Sequence, residues 1–340
     1  MGVNITSLLS SKVVSVSDFS GKVVAIDASI FLHNFLHNIR NPDGSLFSDS
    51  NGNVTSHLIG ILSRVPNLLS QNVKPVFVFD GKPPVMKGGE LLKRGAYREK
   101  AKELYEQAKS VGDVESMKKY ASSSVSLDKN IVEDAKKLIG LLGCPVVQAP
   151  SEAEAQASFL VKNGDAVAVV SQDADVLLFG SPFLVRNFFS SGKKVFSGSS
   201  KEIFPLEFSL DETLREQNIS LDQLIFLSML IGTDYNVGGI KKIGPVKALE
   251  LVKKFENPDE LFSFVNWSDF FDFSWKEVFD LFKNPEVTKN YSLKFSSCDE
   301  EGLKKFLIDE RDFSVDRVSK ALGSLEKFKS SLRQKSLSGF

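Results

Sequence analysis

Hydrophobic positions in this chain follow two alternating spacings. Short continuous runs rich in Val, Ile and Phe occur at 22–27 (KVVAID), 74–80 (KPVFVFD), 144–148 (CPVVQ), 166–173 (AVAVVSQD) and 183–188 (FLVRNF). Runs of this kind, bounded by turn formers, read as strands buried on both faces. Between them the apolar residues recur at helical period over 29–39, 55–71, 90–110, 129–142 and 151–163. Strand–helix alternation predicts an α/β fold, with a mostly parallel central sheet flanked by helices and joined by right-handed crossovers.

Three stretches depart from that rhythm. Residues 41–53 (NPDGSLFSDSNGN) are crowded with turn formers and predict a surface excursion of hairpin type. Residues 87–128 are densely charged and poor in large aliphatic side chains, which predicts inserted helices with little core of their own and ready local opening. From 220 onward the pattern is helical throughout, and the last residues, KSSLRQKSLSGF, are small and polar. The expected organisation is one domain over 1–325, followed by a tail at 326–340 that orders on binding.

Composition changes this picture little. The chain has 340 residues, 42% hydrophobic and 25% charged, which is ample for a sizeable core. Its net charge of −1 rules out a globally basic molecule, so any nucleic-acid surface must be local. Cys144 and Cys298 are far apart in sequence, without metal spacing, and read as free thiols of a reducing compartment. The apolar run at 224–232 is about half of what a membrane span requires. No membrane association is expected.

The candidate chemistry is acidic. Three apolar runs end on aspartate: Asp27, Asp80, and Asp173 with Asp175 two residues on. Strand carboxyl ends are where an open α/β sheet binds ligands. The helix at 151–163 opens with Ser151, Glu152 and Glu154, and Asp234 follows the apolar helix at 220–232. Taken singly, each acid has a modest reading. Ser151 with Glu154 fits a capping box, Glu152 suits a helix dipole, and the aspartates suit turns and N-caps. Taken together they are too many to stay ionised in a small volume without cations. An all-oxygen donor set points to Mg²⁺, with Mn²⁺ able to substitute. Two such ions ~4 Å apart suit in-line attack on a phosphodiester. An aspartyl phosphatase built on Asp173 and Asp175 would leave Asp27, Asp80 and the glutamate pair unexplained.

The blocks FDGKPP (79–84), PSEAEAQ (150–156), QDADVLLFG (172–180) and IGTDYNVGGIKKIGPVKAL (231–249) resemble the flap endonucleases of the structure-specific 5′ nuclease superfamily, in their archaeal style. The resemblance runs the length of the chain. It implies a PIN-like core, a helical arch at about 87–128 and a helix–hairpin–helix at about 220–256. It further implies cleavage at the base of 5′ flaps with 5′–3′ exonuclease side activity, in Okazaki fragment maturation and base excision repair. The family's acids fall on Asp27, Asp80, Glu152, Glu154, Asp173, Asp175 and Asp234. One metal is placed nearer Asp80, Glu152 and Glu154, the other nearer Asp173, Asp175 and Asp234.

The basic residues divide between two places. Residues 81–102 hold seven Lys or Arg against two acids, a charge run that a solvated helix face would also explain. Lys87 and Arg94, seven apart, share a helical face, and the resemblance gives them the scissile phosphate. Residues 238–254 combine a glycine-rich turn with five lysines, suited to phosphates at a helix N-terminus. By resemblance Gly238, Gly239, Lys241, Lys242, Gly244 and Lys247 contact duplex DNA, with K⁺ at the hairpin. Lys242 stands where the family often has glycine.

Further DNA contacts carried over are Gly2, His33, Arg40, Thr55 and Arg64. At His33 the family usually has a stacking tyrosine; without a third ligand, His33 and His37 read as a polar helix face rather than a metal site. Gln334, Leu337 and Phe340 resemble the sliding-clamp (PCNA) binding motif, shortened by one aromatic. The expected partners are 5′-flapped branched DNA and the clamp. The expected state is a monomer in the cytoplasm at the nucleoid, or in the nucleus of a eukaryote. A silent DNA-binding adaptor, the competing reading, would gain nothing from an acidic pocket beside a phosphate backbone.

Overall fold

Where the apolar runs pair decides where the acidic strand ends fall. The computed structural model describes residues 3–123, 125–189, 192–196 and 199–325. Its strands are β1 (Ser11–Val13), β2 (Val23–Asp27), β3 (Lys74–Phe79), β4 (Val146–Gln148), β5 (Ala168–Val170), β6 (Phe183–Arg186), β7 (Gly192–Phe196), β8 (Ser199–Ile203) and β9 (Leu206–Ser209). Seven form one sheet in the order β1-β9-β6-β5-β2-β3-β4, while β7 and β8 make a separate antiparallel hairpin. β2/β3 and β5/β6 are parallel, and β1/β9 and β6/β9 are antiparallel. The predicted α/β class therefore holds, with the antiparallel edge as an addition. β1 escaped the hydrophobic pattern because all three of its residues are exposed.

The helices before the last strands are α1 (Ala28–Asn38), α2 (Ser56–Ser70), α3 (Gly88–Ser110), α4 (Val114–Ser123), α5 (Lys129–Leu141), α6 (Ala153–Lys162) and α7 (Asp175–Leu178). After them come α8 (Leu210–Gln217), α9 (Leu221–Ile231), α10 (Pro245–Lys254), α11 (Pro258–Phe264), α12 (Trp275–Lys283) and α13 (Glu300–Lys304), with residues 315–325 also helical. One expectation fails here. The chain between α12 and α13 is not helical. Pro285 cannot continue a helix, and the backbone finds other partners. Thr288 donates to Gln156 Oε1 at 2.7 Å and accepts from its Nε2 at 3.0 Å. Ser296 and Asp299 donate to the carbonyls of Gly143 and Leu141.

The chain divides into two compact units. One comprises 1–15, 80–90 and 148–289, the other 16–79, 91–147 and 290–340. In the first, α9 and α10 pack as a pair, and Gln223 Nε2 reaches the carbonyl of Val252 at 2.7 Å. Phe226, Phe262, Trp267, Trp275 and Phe279 interlock beside them, with Phe262 stacked on Trp275 at 4.6 Å. This cluster absorbs part of the chain's heavy use of phenylalanine.

In the second unit β2 and β3 run in register from Val23 opposite Lys74 to Asp27 opposite Val78. The predicted excursion at 41–53 is pinned by antiparallel bridges, Arg40 to Leu46 and Ser48 to Val54. Asp49 gathers the amides of Asn51 and Asn53, and Ser50 N–H donates to Asp312 at 2.6 Å. Arg311 forks onto Asp134 with two bonds of 2.9 Å. Neither Cys144 nor Cys298 forms a disulfide. Burial pushes the Cys144 thiol up, and the nearby Cys298 adds to the effect.

His57 in α2 is wholly buried in this unit, and neither ring nitrogen has a hydrogen-bond partner. Burial lowers its pKa from 6.5 to about 4; nearby Arg311 acts in the same direction and Asp128 against it. Between these values the unfolded chain binds the extra proton, so the stability contributed by neutral His57 is present above pH ~6.5 and lost as pH falls through about 4. The loss amounts to ~3 kcal/mol. Urea unfolding at pH 7 and pH 4 measures it, and His57→Leu should show the smaller difference between the two.

Candidate active site

The strand-end turn after β3 and the start of α6 are built against each other. Gly81 N–H donates to the carbonyl of Ser151 at 2.6 Å and Lys82 N–H to that of Pro150 at 3.1 Å. A Cβ on Gly81 would lie 2.3 Å from the carbonyl oxygens of Ala149 and Pro150, so only glycine permits this approach. Asp80 is thereby placed to accept the N–H of Ala153 at 2.7 Å. Asp80 therefore supplies the acceptor for the first turn of α6, an arrangement favoured by the helix dipole.

The capping-box reading of Ser151 and Glu154 is corrected by this geometry. The N-cap is Glu152, one residue later than expected, and its own side chain makes no capping bond. Both oxygens of Glu152 are engaged elsewhere. Oε1 pairs with the Lys87 ammonium and Oε2 accepts from the Tyr235 hydroxyl. Glu152 and Tyr235 are both buried. Lys87 also lies 3.5 Å from Asp234 Oδ2 and 5.4 Å from the centre of the Tyr235 ring. Burial works against the Lys87 charge, but Glu152, Glu154 and Asp234 together outweigh it and raise its pKa. Burial and then Glu152 push the Tyr235 hydroxyl up, so it stays a proton donor.

The turn that presents Asp234 and Tyr235 is fixed by Asn236. Its Oδ1 accepts from the backbone N–H and hydroxyl of Thr233, and its Nδ2 donates to the carbonyl of Met229 at 2.7 Å. On the other side Asp175 opens α7, accepts the N–H of Val3 at 3.0 Å and donates its own N–H to Asp173 Oδ1 at 3.1 Å. Burial, then Asp173, drives the Asp175 carboxyl well above the usual range. Arg186 on β6 offers a partly buried positive charge toward Asp173 and Asp175, and its Nη1 donates to Thr6 Oγ1 at 2.9 Å. Its Nε is buried without a partner.

Six of the seven expected acids (Asp80, Glu152, Glu154, Asp173, Asp175 and Asp234) thus lie in the first unit with Lys87. Asp27 and Arg94 belong to the second. There Asp27 is buried at the end of β2 and caps α1 through Ile30 N–H at 3.2 Å, and Arg94 is a half-buried residue of α3. His33 is exposed on α1, Arg64 is exposed on α2, and Thr55 is buried at the start of α2. Arg40 turns back onto the Gly44 carbonyl at 2.6 Å.

The glycine-rich turn before α10 keeps Lys241, Lys242 and Lys247 in solvent with Gly238 and Gly244, while Gly239 is buried. Gly244 is the N-cap, without a side-chain partner for the helix amides. Lys242 adopts φ +67°, the left-handed region its glycine-like position requires. Gly2, Gln334, Leu337 and Phe340 lie outside the described residues.

Tyr235, Arg186 and the Val3 amide are the site groups missed in the sequence. Tyr235 sits inside a motif block beside Asp234, but nothing in the spacing says that its hydroxyl meets Glu152. The donor set suits a hard divalent cation, being all oxygen and more acid than the neighbouring Lys87 and Arg186 can balance. Among the described residues no three acidic, His or Cys side chains converge tightly enough to enclose one ion. In the first unit the lysine lies between Glu152 and Asp234. Because Gly81 sets the turn that delivers Asp80, Gly81→Ala should cost ~3 kcal/mol through backbone overlap, visible as a lowered melting temperature in calorimetry.

Comparison with known proteins fits this arrangement. The XPG N-terminal domain matches residues 1–101 and the XPG I-region residues 143–234. Flap endonuclease 1 of Pyrococcus abyssi is 46% identical over 96% of this chain and 94% of its own length. That of Methanosarcina acetivorans is 45% identical over 99% of each. The solved flap endonuclease-1 from Methanococcus jannaschii superposes with a TM-score of 0.76 at 37% identity, covering 97% of this chain and 99% of that one. With acids, turn and sheet in place, and with this identity along nearly the whole length, the chain belongs to the flap endonuclease family.

Proposed function

We propose that this chain hydrolyses the phosphodiester at the base of 5′ flaps in branched DNA, with 5′–3′ exonuclease side activity, in Okazaki fragment maturation and base excision repair. The observation that carries the reading is the pair of buried acids Glu152 and Asp234 on Lys87, with buried Asp175 within electrostatic reach of it. A binding protein would not retain such a repulsive pocket. Asp80, Glu152 and Glu154 would hold one Mg²⁺, and Asp173, Asp175 and Asp234 a second. When bound, the ions supply an activated water and stabilise the leaving oxygen.

The protein's own part is positioning. The Tyr235 hydroxyl fixes one oxygen of Glu152, and Val3 N–H fixes one of Asp175. Lys87 and Arg94 orient the scissile phosphate and offset the charge that develops on it. The Gly238–Lys247 turn, with its exposed lysines and K⁺, grips the downstream duplex, while His33, Arg40, Thr55 and Arg64 serve the branch. Residues 1–325 act as one monomeric nuclease, and Gln334, Leu337 and Phe340 engage the sliding clamp.

Cleavage of a labelled double-flap DNA, against bubble and single-strand controls, tests the reading. Incision at the junction should require Mg²⁺ or Mn²⁺ and stop with EDTA; incision that persists in EDTA contradicts it. Asp175→Ala should keep flap affinity within about threefold while losing at least a thousandfold in rate, the scale of lost transition-state stabilisation. Lys247→Ala should weaken duplex binding and reduce its salt slope by ~1, as expected for one phosphate contact. Binding isotherms over a salt series measure the change.

A further inference from the structure

We propose that Lys87 is an exchangeable counter-ion of the acid cluster, whose ammonium competes with a divalent cation for Glu152 and Asp234. Three observations support it, and the inference rests on the metal reading above. First, the ammonium pairs with Glu152 Oε1 and stands 3.5 Å from Asp234 Oδ2, joining residues expected to serve different ions. Second, Glu152's other oxygen is held by the Tyr235 hydroxyl. Oε1 is therefore the oxygen for which lysine and metal contend, and Tyr235 keeps the carboxylate aimed while one cation replaces the other. Third, the lysine ends a short turn, Val85–Lys87, between Pro83-Pro84 and Gly88-Gly89. Nothing lies within 4 Å of where a Cβ would stand on either glycine. These glycines open α3, and the start of that helix is uncrowded on the side where a Cβ would stand, while the prolines before Lys87 are stiff. The ammonium sits at the end of a flexible four-carbon stem and keeps some exposure, so rotamer changes of the side chain alone would carry it off Glu152.

The consequence is a coupling. A lysine held among the acids satisfies their charge and lowers their affinity for metal. A metal that takes Glu152 and Asp234 repels the ammonium and releases it toward a phosphate. Metal loading and delivery of the lysine to DNA are then one exchange rather than two independent events, and an enzyme away from DNA keeps a built-in cation over its acids.

The test uses the full chain without DNA. Mn²⁺ is titrated into wild type and into Lys87→Met, which keeps length and removes charge, with free Mn²⁺ read by electron paramagnetic resonance. Lys87→Met should bind Mn²⁺ at least tenfold more tightly. In parallel, Mg²⁺ is added to wild type labelled with ¹⁵N at lysine side chains, the Lys87 signal being assigned by its loss in Lys87→Arg. That signal should move as the ammonium leaves Glu152, and this measurement stands even where the methionine variant folds poorly. Saturable Mn²⁺ binding by wild type with unchanged or weaker binding by Lys87→Met overturns the competition and leaves the metal reading intact. An unmoved Lys87 signal at saturating Mg²⁺ does the same. No saturable Mn²⁺ binding by either protein overturns both.

Discussion

Carboxylates of like charge do not share a dry volume unless something compensates them, and most of this site is an answer to that constraint. Buried Asp175 is settled by the amide of Val3 and buried Glu152 by a phenol and an ammonium, while Asp80, exposed at the strand end, accepts the first amide of α6. Each compensation comes from a different stretch of chain. The terminal segment, the strand-end turn, the start of a helix and the turn after α9 must all be in place before the acids can sit together. Within this unit the burial of the charges therefore depends on several separated stretches of chain.

The same constraint gives the site its chemistry. Acids held this way are short of positive charge, and the proposed divalent cation would supply it with the charge density that phosphodiester hydrolysis uses. Lys87 carries a single charge on a long stem, so under the proposed exchange it would serve the acids and then be surrendered to a phosphate. Tyr235 gives Glu152 a hydrogen bond without adding charge. A second cation in its place would hold the glutamate and weaken its hold on metal.

Much of the fold was legible because its signal is local. Strands at 22–27 and 74–80 and helices at 29–39, 55–71 and 129–142 fall within a residue or two of β2, β3, α1, α2 and α5, since apolar period and turn formers act over a few residues. β1 and β9 were not legible: one is three exposed residues, and both depend on partners distant in sequence. The non-helical course of 284–299, in a region read as all helical, was not legible for a related reason. Its backbone bonds go to Gln156, Gly143 and Leu141, and no window of sequence contains both ends of such a bond.

Sequence by itself determined the acids, their order and their family, because residue type and short-range spacing carry donor chemistry and motif identity. It also marked the glycine-rich turn before α10 as a place where backbone could meet phosphate, whereas the close approach at Gly81 came only from the structure. The capping of α6 was decided only in three dimensions. Ser151 and Glu154 satisfy the local rule for a capping box, yet Asp80, some seventy positions earlier, reaches the Ala153 amide instead. A local rule compares only neighbours, whereas the folded chain offers every donor all the acceptors brought near it. For the same reason only the tertiary structure could place Lys87 between Glu152 and Asp234: the pairing is set by electrostatics among groups separated by more than sixty residues.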